Sequence, residues 1–266
     1  MTFNTDLLVF DAYGGFTFKP IHQSERSSMR HHVAIFAAVA LIAAGCSEST
    51  APATDGQITM STRYTTQTVL AKSQGTLAVD SVVISRARLV VRDIKFKTLG
   101  EDSLNFRTAP MVLELSLAGA VQSIGTSTVP FGTYNRVEFD VHRVEAPEIA
   151  ALPSADQAVF TDFLAGEKYS IIVDGTVYRS GLAPATFTYR SKVDAKQKIT
   201  LDPAMVLDES ATNVNATLVV SSAGWFTNSV GALVDPTDTN NEGVIDENLK
   251  ASIKVYKDNN RDGSKD

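Results

Sequence analysis

From residue 58 onward, apolar and polar positions alternate in short runs rich in Thr, Val, Ile, Tyr and Phe, the pattern of half-buried strands. Val82 and Ile84 fall on one face. The phase then shifts, so that Leu89 and Val91 share a face, and shifts again at Ile94 and Phe96. A β-bulge or a strand break produces such shifts. Met111, Leu113, Leu115 and Leu117 line one face of the next strand, with Glu114 and Ser116 opposite. In residues 129–134 (VPFGTY), Pro130 fixes φ and Gly132 offers a positive φ, which predicts a tight turn. A strand over 135–144 follows, with Val137, Phe139 and Val141 inward and Arg136, Glu138, Asp140 and His142 outward.

Residues 145–153 carry two prolines and break the pattern, which marks a long connection or a domain boundary. Val159, Phe163 and Leu164 have helical spacing and Gly166 follows, so one short helix is expected near 156–164. Strands resume over 169–173, 176–179, 185–193, 197–201, 214–221 and 249–255, the last with Leu249, Ala251, Ile253 and Val255 on one face. Many short strands with almost no helix define an all-β chain, an antiparallel β-sandwich. The β-rich regions 58–145 and 154–256 are either one sandwich or two. No fixed-period repeat points to a propeller or solenoid.

A different pattern occupies residues 29–47. Arg30, His31 and His32 precede an unbroken apolar and small-residue run, 33–44, which ends at Gly45 and Cys46. A charged start, an apolar core of roughly 7–15 residues and small residues at the cut are the parts of an export signal. The run falls short of the roughly 20 residues that span a bilayer. Residues 43–46 (AAGC) resemble the lipobox of bacterial lipoproteins, with Ala43 where that family usually has Leu. The resemblance implies that the Cys46 thiol receives a diacylglycerol, that the signal 29–45 is removed, and that the new amino group accepts a further acyl chain such as palmitate. It also implies an outer-membrane address in the cell envelope, on a face the sequence leaves open. Cys46 is the one cysteine in the chain, so an intrachain disulfide does not explain it. Because export signals are N-terminal, residues 1–28 read as a mis-assigned extension and Met29 as the start. Residues 46–57 are small and polar, a flexible tether.

Charge narrows the functional classes. The chain has 24 Lys and Arg against 30 Asp and Glu, a net charge of −6. Acids and bases balance before Cys46, so the remaining 220 or so residues keep the whole excess. That excludes a general nucleic-acid surface.

The clearest chemical motif is residues 258–266 (DNNRDGSKD), which follow the opening of an EF-hand-type loop. Calcium takes six to eight oxygens, and such loops supply them from alternate positions. Here they are Asp258, Asn260, Asp262, the Ser264 carbonyl and Asp266, with Gly263 at the sharp turn. The loop also resembles those of dockerins and thrombospondin-type calcium repeats. A looser copy upstream offers Asp238, Asn240, Glu242 and Asp246. Both stretches also read as plain polar turns, since Asp, Asn and Gly are turn formers.

Little points to catalysis. His142 is the one histidine after the signal, and its pattern places it on a solvated strand face beside Glu138 and Asp140. A pocket joining it to carboxylates would revive a hydrolase. Trp225 and Phe226 read either as core or as an exposed sugar- or partner-binding pair.

Residues 129–134 before Val137, Glu138 and Phe139, then 173–176 (VDGT) and the segment 225–255, together resemble bacterial lipoproteins with an uncharacterised domain, a sandwich of the immunoglobulin or transthyretin kind. The resemblance implies an envelope lipoprotein and no known chemistry. The expectation is therefore a non-enzymatic, lipid-anchored envelope protein with a structural or binding role and a calcium-stabilised C-terminus. The alternative is a carbohydrate- or protein-binding module of an uptake or adhesion system.

Overall fold

The computed structural model describes residues 54–66, 78–100 and 103–266. The signal, Cys46 and most of the tether lie outside these residues. The described residues fall in one compact unit.

The chain is an all-β sandwich. One sheet has four strands in the order β11–β10–β1–β5: β1 is Asp55–Thr65, β5 Gln122–Pro130, β10 Asn213–Ser221 and β11 Ile253–Lys257. The other sheet runs β8–β7–β2–β6–β9, with β3 and β4 also on β2. Here β2 is Val79–Thr98, β3 Ser103–Arg107, β4 Met111–Glu114, β6 Gly132–Val141, β7 Ile171–Arg179, β8 Ala185–Ser191 and β9 Ala195–Leu207. Inward residues of both sheets form one core that includes Ile58, Met60, Phe96, Phe139, Met205 and Leu218. The pairing is antiparallel except for β1 against β10, which is parallel. The two β-rich halves of the sequence thus pair strand with strand, β1 with β10, β2 with β7 and β6 with β9. Residues 145–153 separate no domains.

The phase shifts along β2 are register shifts in one 20-residue strand. One lies between Ile84 and Arg86, and another spans Arg92 to Lys95, where Asp93 has φ 52°. Leu89 pairs with Leu113 of β4 on one edge and Ile171 of β7 on the other. Val91 pairs with Met111 of β4 and Val141 of β6. Between them the partner along one edge changes. The Val90 N–H donates to the Ser170 carbonyl and the Val90 carbonyl accepts from the His142 N–H. This handover at Val90 places the end of β6 beside the start of β7.

Leu89, Val90 and Val91 are all buried, as a strand covered on both faces requires. The second cover is a short helical layer: α1 (Ala146–Ala150), α2 (Ser154–Gln157), a 3-10 turn (Ala158–Phe160) and α3 (Thr161–Leu164). Its Ile149, Phe160 and Phe163 pack on Val90, Val144 and Ile172. The single helix expected near 156–164 is therefore broken into pieces. Phe160 is the buried residue and Val159 faces out, because the 3-10 turn changes the helical phase. Arg88 fixes the layer to the sheet, 2.8 Å from Asp162 and 5.5 Å over the Phe163 ring.

Several boundaries move. β1 begins at Asp55, inside the expected tether, because it pairs with Pro130 there. Residues 242–251, expected as loop and then strand, form helix α4 (Glu242–Ala251), with Ile245 and Leu249 buried one turn apart. The alternation over 249–255 hid this 3.6-residue spacing. Gly132 does not take a positive φ; the 129–134 turn is held instead by the Tyr134 hydroxyl donating to the Pro130 carbonyl at 2.8 Å.

Candidate functional site

The C-terminal loop lies on the outer face of the four-stranded sheet. Alternate residues of β1 and β10 point outward there and are polar: Thr59, Ser61, Asn215 and Thr217. All four are buried, because residues 258–266 fold back over them. Asn215 Nδ2 donates to the Asp258 carbonyl at 2.9 Å, and the Ser61 hydroxyl donates to Asn215 Oδ1 at 3.1 Å. Arg261 reaches Thr59 Oγ1, and Arg63 donates to the Asp262 carbonyl, each at 3.1 Å.

Asp258 is the centre of this layer, with none of its surface exposed. Its Oδ2 accepts from the Thr217 hydroxyl at 2.6 Å and from the Gly263 N–H at 2.9 Å; its Oδ1 accepts from the Asp262 N–H at 3.1 Å. Every donor is neutral. The rest of the loop repeats the turn geometry. Asn260 Oδ1 accepts from the Asp262 N–H at 3.1 Å, and Asp262 Oδ1 accepts from the Ser264 N–H at 2.7 Å. The latter bond comes first among the causes that hold the Asp262 carboxyl below its ordinary range. Gly263 sits at φ 79° with Arg63 against it, the sharp turn expected of it. Asp266 closes the loop by accepting from the Asn259 N–H at 2.8 Å. Among the described residues, no three His, Cys, Asp or Glu side chains converge as a metal-binding group.

The upstream stretch is used differently. Asp238 Oδ1 accepts from the Asn240 N–H at 3.0 Å and so leads into the 3-10 turn Thr239–Asn241. Glu242 opens α4, and Asp246, a turn further on, accepts the Tyr189 hydroxyl at 2.8 Å. These four side chains serve a helix start and a tyrosine, not one centre. Trp225 and Phe226 are core residues, 1% and 5% exposed. Trp225 meets Tyr64 edge-on at 6.1 Å, and Phe226 meets Phe187 at 5.6 Å. They offer no ring to a glycan.

His142 is the largest departure from expectation, for it is buried rather than solvated. The handover at Val90 brings it beneath α1. Its Nε2 lies 2.9 Å from Glu148 Oε2, which also accepts the Glu145 N–H at 2.8 Å, while Glu148 Oε1 accepts from Arg92. Burial alone would raise the Glu148 carboxyl, but the bonds from His142 and Glu145 and the charges of His142 and Arg92 outweigh it and hold the group below its usual range. An ionised carboxylate only accepts, so His142 Nε2 donates in this bond. The ring borders a cavity of about 300 Å³ lined by His142, Arg143, Glu145, Gly166, Glu167, Lys168 and Asp194. Sequence reasoning missed it because Asp194 and 166–168 are remote in the chain. The lining joins a histidine to carboxylates but carries no hydroxyl or thiol, so it forms no Ser–His–Asp set. Glu138, thought to neighbour His142, instead meets Arg136 at 3.1 Å and Lys196 at 3.7 Å.

The structure thus defines a β-sandwich with a loop-covered sheet and a histidine-bearing cavity. No family profile and no curated protein matches the chain. Among solved structures, it is similar to MbnP from Methylosinus trichosporium, with a TM-score of 0.38 and 10% identity over 69% of this chain and 82% of that one. A likeness this distant assigns no function.

Proposed function

We propose that the chain is a non-enzymatic, lipid-anchored module of the cell envelope, with a structural or binding role, whose C-terminal loop takes calcium. The observation that carries the calcium reading is Asp258. Buried charges are paired or coordinate metals, yet this carboxylate, fully enclosed, is held only by neutral donors. It stands at the first position of a D-x-N-x-D-G loop whose oxygens calcium favours. Asn260, Asp262, the Ser264 carbonyl and Asp266 would complete the set. The anchor reading rests on the lipobox at Ala43–Cys46; among the described residues no helix is long and apolar enough to cross a membrane.

The test is a thermal melt of the chain stripped with EDTA, then given calcium or magnesium. A ligand bound only by the native state stabilises it by about 2.7 kcal/mol at a hundred times Kd. The expected outcome is a calcium-selective rise in melting temperature that Asp262→Ala abolishes. No rise at millimolar calcium would reduce the loop to a structural clasp.

A further inference from the structure

We propose that the outer face of the seven-stranded sheet, over β2, β6 and β9, docks on the anionic phospholipid headgroups of the membrane to which the chain is tethered. This deepens the envelope proposal and rests on its anchor at Cys46. Val137, Phe139 and Val141 of β6 are buried in the core, so Arg136 and Glu138 stand on the opposite face. On β2, Lys97 pairs with Arg136 and Lys95 with Glu138; on β9, Lys198 pairs with Glu138 and Lys196 with Asp140. These five cations gather around Glu138, which is buried and lies 3.1 Å from Arg136 and 3.7 Å from Lys196. Asp93 and Asp140 stand at the α1 end of the face, each within 3.8 Å of Arg92. Lys196 and Lys198 are exposed, while Lys95 and Lys97 are half-buried, with stems long enough to hold the ammonium groups in water. In a chain of net charge −6, this sheet face carries a positive field of its own.

Two further observations favour a membrane over a soluble anion. The first is apolar. At one end of this face Leu99 and Val206 are 68% and 46% exposed. Thr133 lies between them: its carbonyl accepts the Leu99 N–H at 3.4 Å, and it pairs with Val206. Basic side chains beside exposed aliphatic ones suit a lipid interface, where ammonium groups meet phosphates and apolar groups enter the acyl boundary. The second is the tether. The Phe131 N–H donates to the Thr54 carbonyl at 2.9 Å, so the chain leading back to Cys46 leaves the fold beside the start of β6. Arg136 is about 13 Å along β6 from Gly132. The nine chain steps from Cys46 to Asp55 cover at most about 30 Å. The lipid therefore holds this end of the face close to the bilayer. Asp55, Asp208 and Glu209 are exposed at the same end, but they belong to β1 and to the turn into β10. They oppose an end-on approach and leave the sheet face to meet the headgroups. The acyl chains supply the anchorage, and the face sets the orientation.

The test uses the acylated chain reconstituted into vesicles of phosphatidylcholine, either alone or with roughly one-third phosphatidylglycerol. Acetylation of each lysine is followed by mass spectrometry at about 0.1 M salt, where the Debye length is about 10 Å. Lys95, Lys97, Lys196 and Lys198 should react at least about fivefold more slowly on the anionic vesicles. Salt at about 0.5 M should remove the difference. Lys254, on the outer face of the other sheet, should react equally on both. A second arm needs no acylation. The full chain with Cys46→Ser is partitioned onto the same vesicles, with and without the pair Lys95→Gln and Lys198→Gln. The pair should lower partition onto the anionic vesicles about 25-fold, about fivefold for each charge, and leave partition onto the neutral ones unchanged. Leu99→Ser should weaken partition by about a further fivefold. The two readings fail separately. An unmodified Cys46 thiol in the mature protein would overturn the anchor. Equal lysine reactivity on both vesicles, or a partition that the Lys95→Gln and Lys198→Gln pair leaves unchanged, would overturn the docking face. Protection of the same lysines by heparin but not by the anionic vesicles would overturn it too, in favour of a soluble polyanion.

Discussion

At the scale of single residues, two carboxylates hold the most. Asp258 satisfies the Thr217 hydroxyl and two loop N–H groups. Removing a buried acceptor leaves its donors unpaired, at roughly 1–3 kcal/mol for each group so stranded. Asp258→Ala should therefore lower the urea midpoint by the equivalent of about 2–4 kcal/mol, whereas Asp258→Asn should cost less. Glu148 makes the second case, and its effect depends on pH. Its folded carboxyl lies below the unfolded value, which is about 4.3. A depressed carboxyl contributes stability that is present above the unfolded value and lost as pH falls through the folded one. Wild-type protein should thus lose stability from about pH 4.5 downward. Glu148→Gln should start about 1–3 kcal/mol less stable at pH 7 and lose less on acidification. Urea midpoints of both proteins at pH 7 and in the acid range check the difference in slope.

At the scale of elements, legibility followed whether a signal was local. The inward faces of Met111 and Leu113 and of Val137, Phe139 and Val141 were readable because strand period alone sets them, and the shifts in β2 announced its irregular register. What escaped depended on a distant cover. Thr59, Ser61, Asn215 and Thr217 look like solvent-facing positions, and nothing near them in sequence says that the last nine residues will close over them. His142 escaped in the same way, since its burial follows from the handover at Val90 and a helical layer whose apolar stripe is interrupted. α4 was misread because two periods competed over 245–255. The same reasoning identifies a contact the sequence hides. Gly175 of β7 lies between β2 and the Phe187 ring of β8, where a Cβ would stand 2.4 Å from the Val83 carbonyl oxygen and 2.7 Å from the ring. Gly175→Ala should overpack both contacts and destabilise by about 1–3 kcal/mol, and Phe187→Leu in the same chain should recover little of the loss, because the clash with the β2 backbone remains. Equilibrium melts of the two variants test the coupling.

At the scale of the whole molecule, the question is whether the two β-rich stretches are separate folding units. Strands from before and after residue 145 share both sheets, and their inward residues contribute to one core. Neither stretch can keep its buried face without the other: β1 lies between β10 and β5, and β6 between β2 and β9. Splitting them would expose a large part of the apolar surface and break three strand pairings at once, so no half-folded state should be populated. This predicts one cooperative transition. Trp225 is the single tryptophan and sits in the shared core against Tyr64. Its fluorescence reports core opening, while far-ultraviolet circular dichroism reports the strands of both sheets. In urea the two signals should change together, with the same midpoint and slope. A tryptophan transition that precedes the loss of strand signal would mean that the four-stranded sheet and its C-terminal cover open first. Calcium discriminates further. If the 258–266 loop binds it, both transitions should move together to higher urea, because the loop bridges β1, β10 and β11 and cannot be lost without the sheet beneath it.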